Sequence, residues 1–310
     1  MIEARNLTKT YGQKTAVNDI TFTVRPGIVT GFLGPNGAGK STTMRMIVGL
    51  DRPTAGRVTV NGRYYAAHTS PLSEVGALLD AKAVHTGRNA ENHLLALAAT
   101  ARIPKRRVHE VIELTGLESV ARKRVGGFSL GMGQRLGIAA ALLGDPQTLI
   151  LDEPINGLDP EGVRWVRSLV RGLAAEGRTV LLSSHLMSEM AVTADHLIVL
   201  GKGRVIADSP VADIIGGASL VSVRVRSPQA SVLASTLASP DVTITHAEHD
   251  MLTVTGLDPR TIGDLAARGG IALHELTPIS ASLEEAYLQL TNDDVEYRTG
   301  ASARNLEVSR

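Results

Sequence analysis

Cysteine is absent from this chain, and its absence excludes disulfides, thiolate metal sites and cysteine nucleophiles. The lack also fits a reducing compartment. Aromatic residues are scarce, at 3%. With a hydrophobic content of 43%, the core must therefore be built from Leu, Val, Ile and Ala. No excess of one charge sign exists: the formal net charge is +1, so no overall field draws in nucleic acid or an acidic partner. No apolar run approaches the roughly 18 residues a membrane span needs. Met1-Ile2-Glu3-Ala4-Arg5 lacks the basic-then-apolar layout of a signal peptide. These lacks lead to the expectation of a cytosolic protein with no membrane span of its own and no nucleic-acid partner. The length of 310 residues accommodates one full domain and a smaller one.

What is present centres on Gly34-Pro35-Asn36-Gly37-Ala38-Gly39-Lys40-Ser41-Thr42. It follows the strand-like run Ile28–Leu33 and opens a helical pattern carrying Met44, Met46, Ile47, Val48 and Leu50. Glycine, four residues, then Gly-Lys-Ser, set between strand and helix, is the phosphate-binding P-loop. Its glycines let several N–H groups point into one concavity with the helix dipole behind them. Lys40 can reach the β- and γ-phosphates, and Ser41 can give its hydroxyl to Mg²⁺. An ordinary glycine-rich turn rarely carries Lys-Ser in this register.

Around this loop, residues 1–33 read as short strands, with Arg25-Pro26-Gly27 as a turn. Tyr11 falls in a connecting loop, where it either caps a strand edge or offers a flat face to a base. From about Gly87 to Gly144 the apolar period becomes helical, with one helix around Leu94 and Ala98 and a second entered at Pro104. Lys105-Arg106-Arg107 and Arg122-Lys123-Arg124 read as solvated helix faces. Ser129 is placed to cap the helix that follows.

Thr148-Leu149-Ile150-Leu151 reads as a strand buried on both faces of a parallel sheet, and it ends in Asp152 and Glu153. An unpaired buried charge costs several kcal/mol, so a cation or an ordered polar network must meet these carboxylates. Asp152 is assigned to Mg²⁺ and Glu153 to the role of base for a water molecule. Asn156-Gly157-Leu158-Asp159-Pro160 turns into a helix in which Trp165 packs. Thr179–Ser184 is another buried strand, ending at His185. From about Ala218 the composition changes. Strand 219–226, helix 229–238, strands 242–246 and 251–255, helix 259–268 and strand 271–276 spell βαββαβ, a small ferredoxin-like module. A helix over Ser282–Leu290 follows, and 292–310 is read as a mobile tail.

Taken together these motifs resemble the nucleotide-binding subunit of an ABC transporter over residues 1 to about 215. The resemblance implies an α/β P-loop NTPase with a parallel core sheet: a nucleotide-binding domain over 1–217, its helical subdomain over about 87–145, and an accessory domain over 218–291. It places Tyr11 against adenine, Gly34–Thr42 as Walker A, and Leu149–Glu153 as Walker B with its catalytic glutamate. Asn156–Asp159 is similar to the D-loop, and His185 to the switch histidine. Phe128-Ser129-Leu130-Gly131-Met132 stands at the LSGGQ signature, with Leu130 and Met132 departing from it while Ser129 and Gly131 keep the hydroxyl and the close approach. Asp80 stands where the Q-loop glutamine is expected and can still touch Mg²⁺ or its water. The departures and the ending Ser282–Tyr287 resemble the drug- and antibiotic-exporter branch, similar to daunorubicin-resistance and bacitracin-type ATPases. The expectation is a subunit that binds and hydrolyses ATP with Mg²⁺. It would work at the cytoplasmic face of the membrane with a separate permease and a second ATPase subunit, ATP lying between the P-loop of one and Ser129 and Gly131 of the other, with Asp159 at the interface. An importer ATPase and a non-transport ABC ATPase are the alternatives; a P-loop kinase or GTPase would leave Ser129 and His185 idle.

Overall fold

Alternation of buried and exposed side chains carries β1 (Ile2–Tyr11) and β2 (Lys14–Val24) into an antiparallel hairpin. These are long strands where short ones were expected, and Tyr11 ends β1 rather than lying in a loop. The reason is bulging: the β1–β2 register shifts between Ala4 and Thr10, and Asn6 and Asp19 take positive φ, so polar residues interrupt the pattern without ending the strands. After β3 (Val29–Leu33) and α1 (Lys40–Ile47), β4 (Ala55–Val60) joins the other edge of β1. The computed structural model describes residues 1–81, 83–217, 222–279 and 282–291.

A second sheet is built from strands that sequence reading marks as doubly buried. The short α2 (Pro71–Glu74) leads into β5 (Val75–Leu78). Three helices follow, α3 (Ala90–Thr100), α4 (Lys105–Leu114) and α5 (Leu130–Leu142). They bury Leu94, Val108, Val111, Leu136 and Ile138. Then come β6 (Thr148–Leu151), α6 (Pro160–Ala175), β7 (Thr179–Ser183), α7 (Met187–Thr193), β8 (His196–Gly201) and β9 (Arg204–Pro210). The sheet order is β5-β6-β7-β3-β8-β9, and the β5-β6-β7-β3 run is parallel. Every residue of β3, β6 and β7 is buried, as a sheet covered on both faces requires. The core is aliphatic apart from Phe22 and Phe32, whose ring centroids are 5.6 Å apart. All of the parallel strands therefore end at one edge, where the loops after β3, β6 and β7 meet.

After α8 (Val211–Gly217), a four-stranded antiparallel sheet is formed by β10 (Ser222–Arg226), β11 (Thr243–Glu248), β12 (Met251–Thr255) and β13 (Glu275–Ile279), with α9 (Ala230–Leu237) and α10 (Pro259–Arg268). Its order, β11-β12-β10-β13, with all three pairings antiparallel, is that of a ferredoxin-like module. Val223, Val225, Leu233, Leu252, Val254 and Ile262 form its core. The last strand lies four residues later than expected: Ile271 serves the core after the turn that ends α10, and β13 carries Pro278 on an edge of the sheet, where a missing N–H is tolerated. Helix α11 (Leu283–Thr291) ends the described chain. The strand start expected at 219–221 and the tail expected at 292–310 lie outside the described residues. The contacts divide the chain into one unit of Met1–His185 with Leu197–Asp208, and another of Leu186–His196 with Ser209–Leu290.

Candidate nucleotide site

The turn from β3 into α1 is held open by glycine. Gly34, Gly37 and Gly39 have φ of 157°, 84° and 101°. A Cβ on Gly34 would sit 2.5 Å from the Leu200 carbonyl oxygen, and one on Gly39 would sit 2.6 Å from that of Ala16. The loop is thus pressed between β8 and β2, with a backbone carbonyl oxygen as the nearest atom at each of these two glycines. Pro35, Asn36, Gly37 and Ser41 are exposed, whereas Ala38, Gly39 and Lys40 are buried. Helix α1 starts at Gly39 with no capping side chain and no acidic residue in its first turn. Its leading N–H groups and dipole are therefore offered to an anion. The Lys40 ammonium donates to the carbonyls of Gly34 at 2.6 Å and Pro35 at 3.2 Å. Burial holds its pKa below the ordinary lysine value, while the charges of Glu153 and Asp152 act in the other direction. The parallel pairing of β3 with β7 and of β7 with β6 brings the loops that carry Lys40 and both carboxylates to one edge of the sheet.

Those carboxylates follow β6 and are met by an ordered network. The Ser183 hydroxyl at the end of β7 donates to Asp152 Oδ1 at 2.5 Å and accepts from the Glu153 N–H at 2.9 Å. Glu153 has φ of 50°, a left-handed conformation costing a side-chain-bearing residue about 1–3 kcal/mol. Its carbonyl accepts from the buried Gln134 amide at 3.0 Å and from the Asn156 N–H at 3.2 Å. Its carboxylate Oε2 lies 2.8 Å from His185 Nδ1. Because an ionised carboxylate only accepts, Nδ1 carries the hydrogen and Nε2 is left for another partner. The N–H and carboxylate of Glu153 are thus held from the end of β7 and its carbonyl from α5.

The remaining predicted residues fall into separate groups. The Tyr11 hydroxyl donates to Asp51 Oδ2 at 2.9 Å, and Arg45 Nε reaches the same oxygen at 2.8 Å. Partial burial and the bond to Asp51 raise the Tyr11 pKa, whereas the Arg45 guanidinium lowers that of Asp51. Lys9 lies over the Tyr11 ring, 4.8 Å from its centroid, so the ring already receives a cation on one face. Thr42 neighbours the same hydroxyl, tying Tyr11 to the start of α1. Asp80 lies just past the end of β5, its carbonyl accepting from the Ala83 N–H at 3.1 Å.

Ser129 caps α5, its hydroxyl accepting from the Met132 N–H at 3.2 Å. Gly131 approaches the turn after β6: a Cβ there would lie 3.0 Å from the Gly157 carbonyl oxygen, and one on Gly157 would run into Leu130. Asp159 caps α6, accepting from the Gly162 N–H at 2.8 Å. Lys40, Asp152, Glu153 and His185 are thus brought together, while the close contacts of Ser129 and Gly131 run to residues 132 and 157. Sequence reading gave no role to Ser183, Gln134 or Asp51. The sequence signal for the first is a serine at the end of a doubly buried strand, and for the second a glutamine that, with Arg135, interrupts an otherwise apolar helix.

Known proteins resemble the chain over most of its length. The model of the ABC transporter family matches residues 17–156, and a domain of unknown function matches residues 221–284. The bacitracin transport ATP-binding protein BcrA of Bacillus licheniformis is 40% identical over 213 residues, 68% of this chain and 70% of that protein. The Nod factor export ATP-binding protein I of Rhizobium sp. (strain N33) is 34% identical over 304 residues, 95% of this chain and 98% of that protein. Among solved structures, an ATP-binding subunit of an ABC transporter superposes with a TM-score of 0.64 at 29% identity, covering 70% of this chain and 92% of that one.

Proposed function

The chain belongs to the ABC transporter family as an ATP-binding subunit, and we propose that it powers export of antibiotics or similar amphiphilic small molecules through a separate membrane permease. One observation carries the reading: the P-loop lysine and a Glu153–His185 pair converge on a single sheet edge. The names of the bacitracin and Nod-factor relatives support transport, and export in the second case. No helix among the described residues is long and apolar enough to cross a membrane; in this reading the permease supplies the substrate's path. Residues 1–217 form the nucleotide-binding domain in this reading, and 218–291 an accessory domain.

The P-loop amides and Lys40 hold the phosphates of ATP, and Tyr11 receives the adenine. Ser129 and Gly131 of a second subunit, another copy or a near relative, close over the nucleotide from the opposite side, with Asp159 at the interface. Glu153 orients a water and takes its proton as the new oxygen–phosphorus bond forms and the β–γ bridging bond breaks, releasing ADP and phosphate. His185 holds the Glu153 carboxylate and presents Nε2 toward the γ-phosphate.

The site also fits Mg²⁺. Ser41, Asp152 and Asp80 offer only hard oxygen donors, two of them carboxylates. That sparse set matches an ion held by one or two carboxylates together with substrate phosphates. Bound there, Mg²⁺ would neutralise phosphate charge.

The test is reconstitution of the chain with a multi-span permease in vesicles. ATP-driven export of an amphiphilic drug is expected. ATP-driven uptake, or ATP hydrolysis that moves nothing, would overturn the export reading.

A further inference from the structure

We infer that Gln134 is a positioning residue through which contact at the start of α5 is read at Glu153; the inference rests on Glu153 acting as the base proposed above. Gln134 is 5% exposed, an unusual place for an amide on a helix whose neighbours Leu136, Ile138 and Ala139 are core residues. Its Nε2 donates to the Glu153 carbonyl at 3.0 Å, while its buried Oε1 has no hydrogen-bond partner. A leucine of similar size would fill the space without burying an unsatisfied acceptor, so packing alone does not account for the glutamine.

The residue it holds is the one at φ 50°. A buried side chain with an orphaned acceptor thus holds the peptide of a strained residue, the pattern expected of a built functional constraint. The Glu153 carbonyl also accepts from the Asn156 N–H at 3.2 Å, which makes Gln134 a clasp on the turn leading to Gly157. The start of α5 touches that turn independently, through Gly131 and Leu130 against Gly157. Ser129, where the second subunit's nucleotide would bind, is five residues from Gln134, about 7.5 Å along the helix axis. A shift of α5 on nucleotide contact thus reaches the Glu153 backbone through one hydrogen bond, and the carboxylate moves with it.

The experiment compares ATP turnover of the full-length wild type with Gln134→Leu and Gln134→Glu, alongside thermal melting. For Gln134→Leu, kcat is expected to fall at least tenfold with KM for ATP and the melting temperature unchanged. For Gln134→Glu, a carboxylate faces a carbonyl at neutral pH but a protonated acid can donate to it. Its kcat relative to wild type is therefore expected to climb as pH falls toward 6. A Gln134→Leu kcat within twofold of wild type overturns the inference. So does a loss that follows the melting temperature, or a Gln134→Glu ratio that is flat with pH, since both report a structural role. A wild type that hydrolyses no ATP overturns the functional reading, and this inference with it.

Discussion

His185 Nδ1 and Glu153 Oε2 lie 2.8 Å apart, joining the end of β7 to the end of β6. Half of the histidine side chain is open to solvent while the glutamate is mostly covered, so the pair has one face for a ligand and one for the protein. Replacing His185 with Ala frees the carboxylate to leave its attack geometry. Turnover should fall by about 100-fold, the low end of the range for positioned acid–base groups, with ATP affinity unchanged. Steady-state kinetics beside equilibrium nucleotide binding checks this. A parallel loss of affinity would place His185 in ground-state binding instead.

Ser183 is a second support for the same pair, bridging Asp152 Oδ1 and the Glu153 N–H. Ser183→Ala leaves a carboxylate oxygen and a backbone donor without their partner. Urea unfolding should show a loss of about 1–3 kcal/mol, and turnover should fall with it. Ser183→Thr, which keeps the hydroxyl, should recover part of both.

How much of this was legible in the chain follows from the kind of interaction involved. The P-loop could be read because its spacing is local: three glycines and Lys40 lie within a few residues, and the backbone they require is written in their order. The doubly buried strands announced themselves by continuous apolar runs. Ser183 and Gln134 could not be assigned roles, because their partners lie 31 and 19 residues away and only the sheet order and the packing of α5 bring them together. Tyr11 was misplaced into a loop because the bulges of β1 disguise its length. The last strand was misplaced because Ile271 and Leu273 look like strand residues while packing against the module's core.

Lys40 gives a pH-dependent prediction. Burial lowers its pKa from 10.5, so between its folded value and 10.5 the unfolded chain binds more protons than the native one. Stability contributed at this position therefore rises with pH through that window and is flat below it. Denaturant unfolding of wild type and Lys40→Met at stepped alkaline pH should show the difference moving in favour of wild type as pH rises; movement the other way would contradict the burial account. The same substitution should weaken ATP binding by about tenfold or more, because a charge-assisted phosphate contact is lost.

Gly39→Ala tests the cradle separately from its charges. The added Cβ would meet the Ala16 carbonyl oxygen at 2.6 Å at a φ of 101°, so the loop must open. Nucleotide titration should show binding reduced by at least tenfold while Lys40 is intact. Wild-type affinity would mean that the loop tolerates a rearrangement the geometry forbids.

The account turns on Glu153 directing water onto ATP held by the P-loop, and a single-turnover experiment with γ-labelled ATP reads that step alone. Wild type should free labelled phosphate, and Glu153→Gln should hold the nucleotide with affinity within a few-fold of wild type while cleaving it about 100-fold more slowly or worse. Cleavage by Glu153→Gln at the wild-type rate would contradict it.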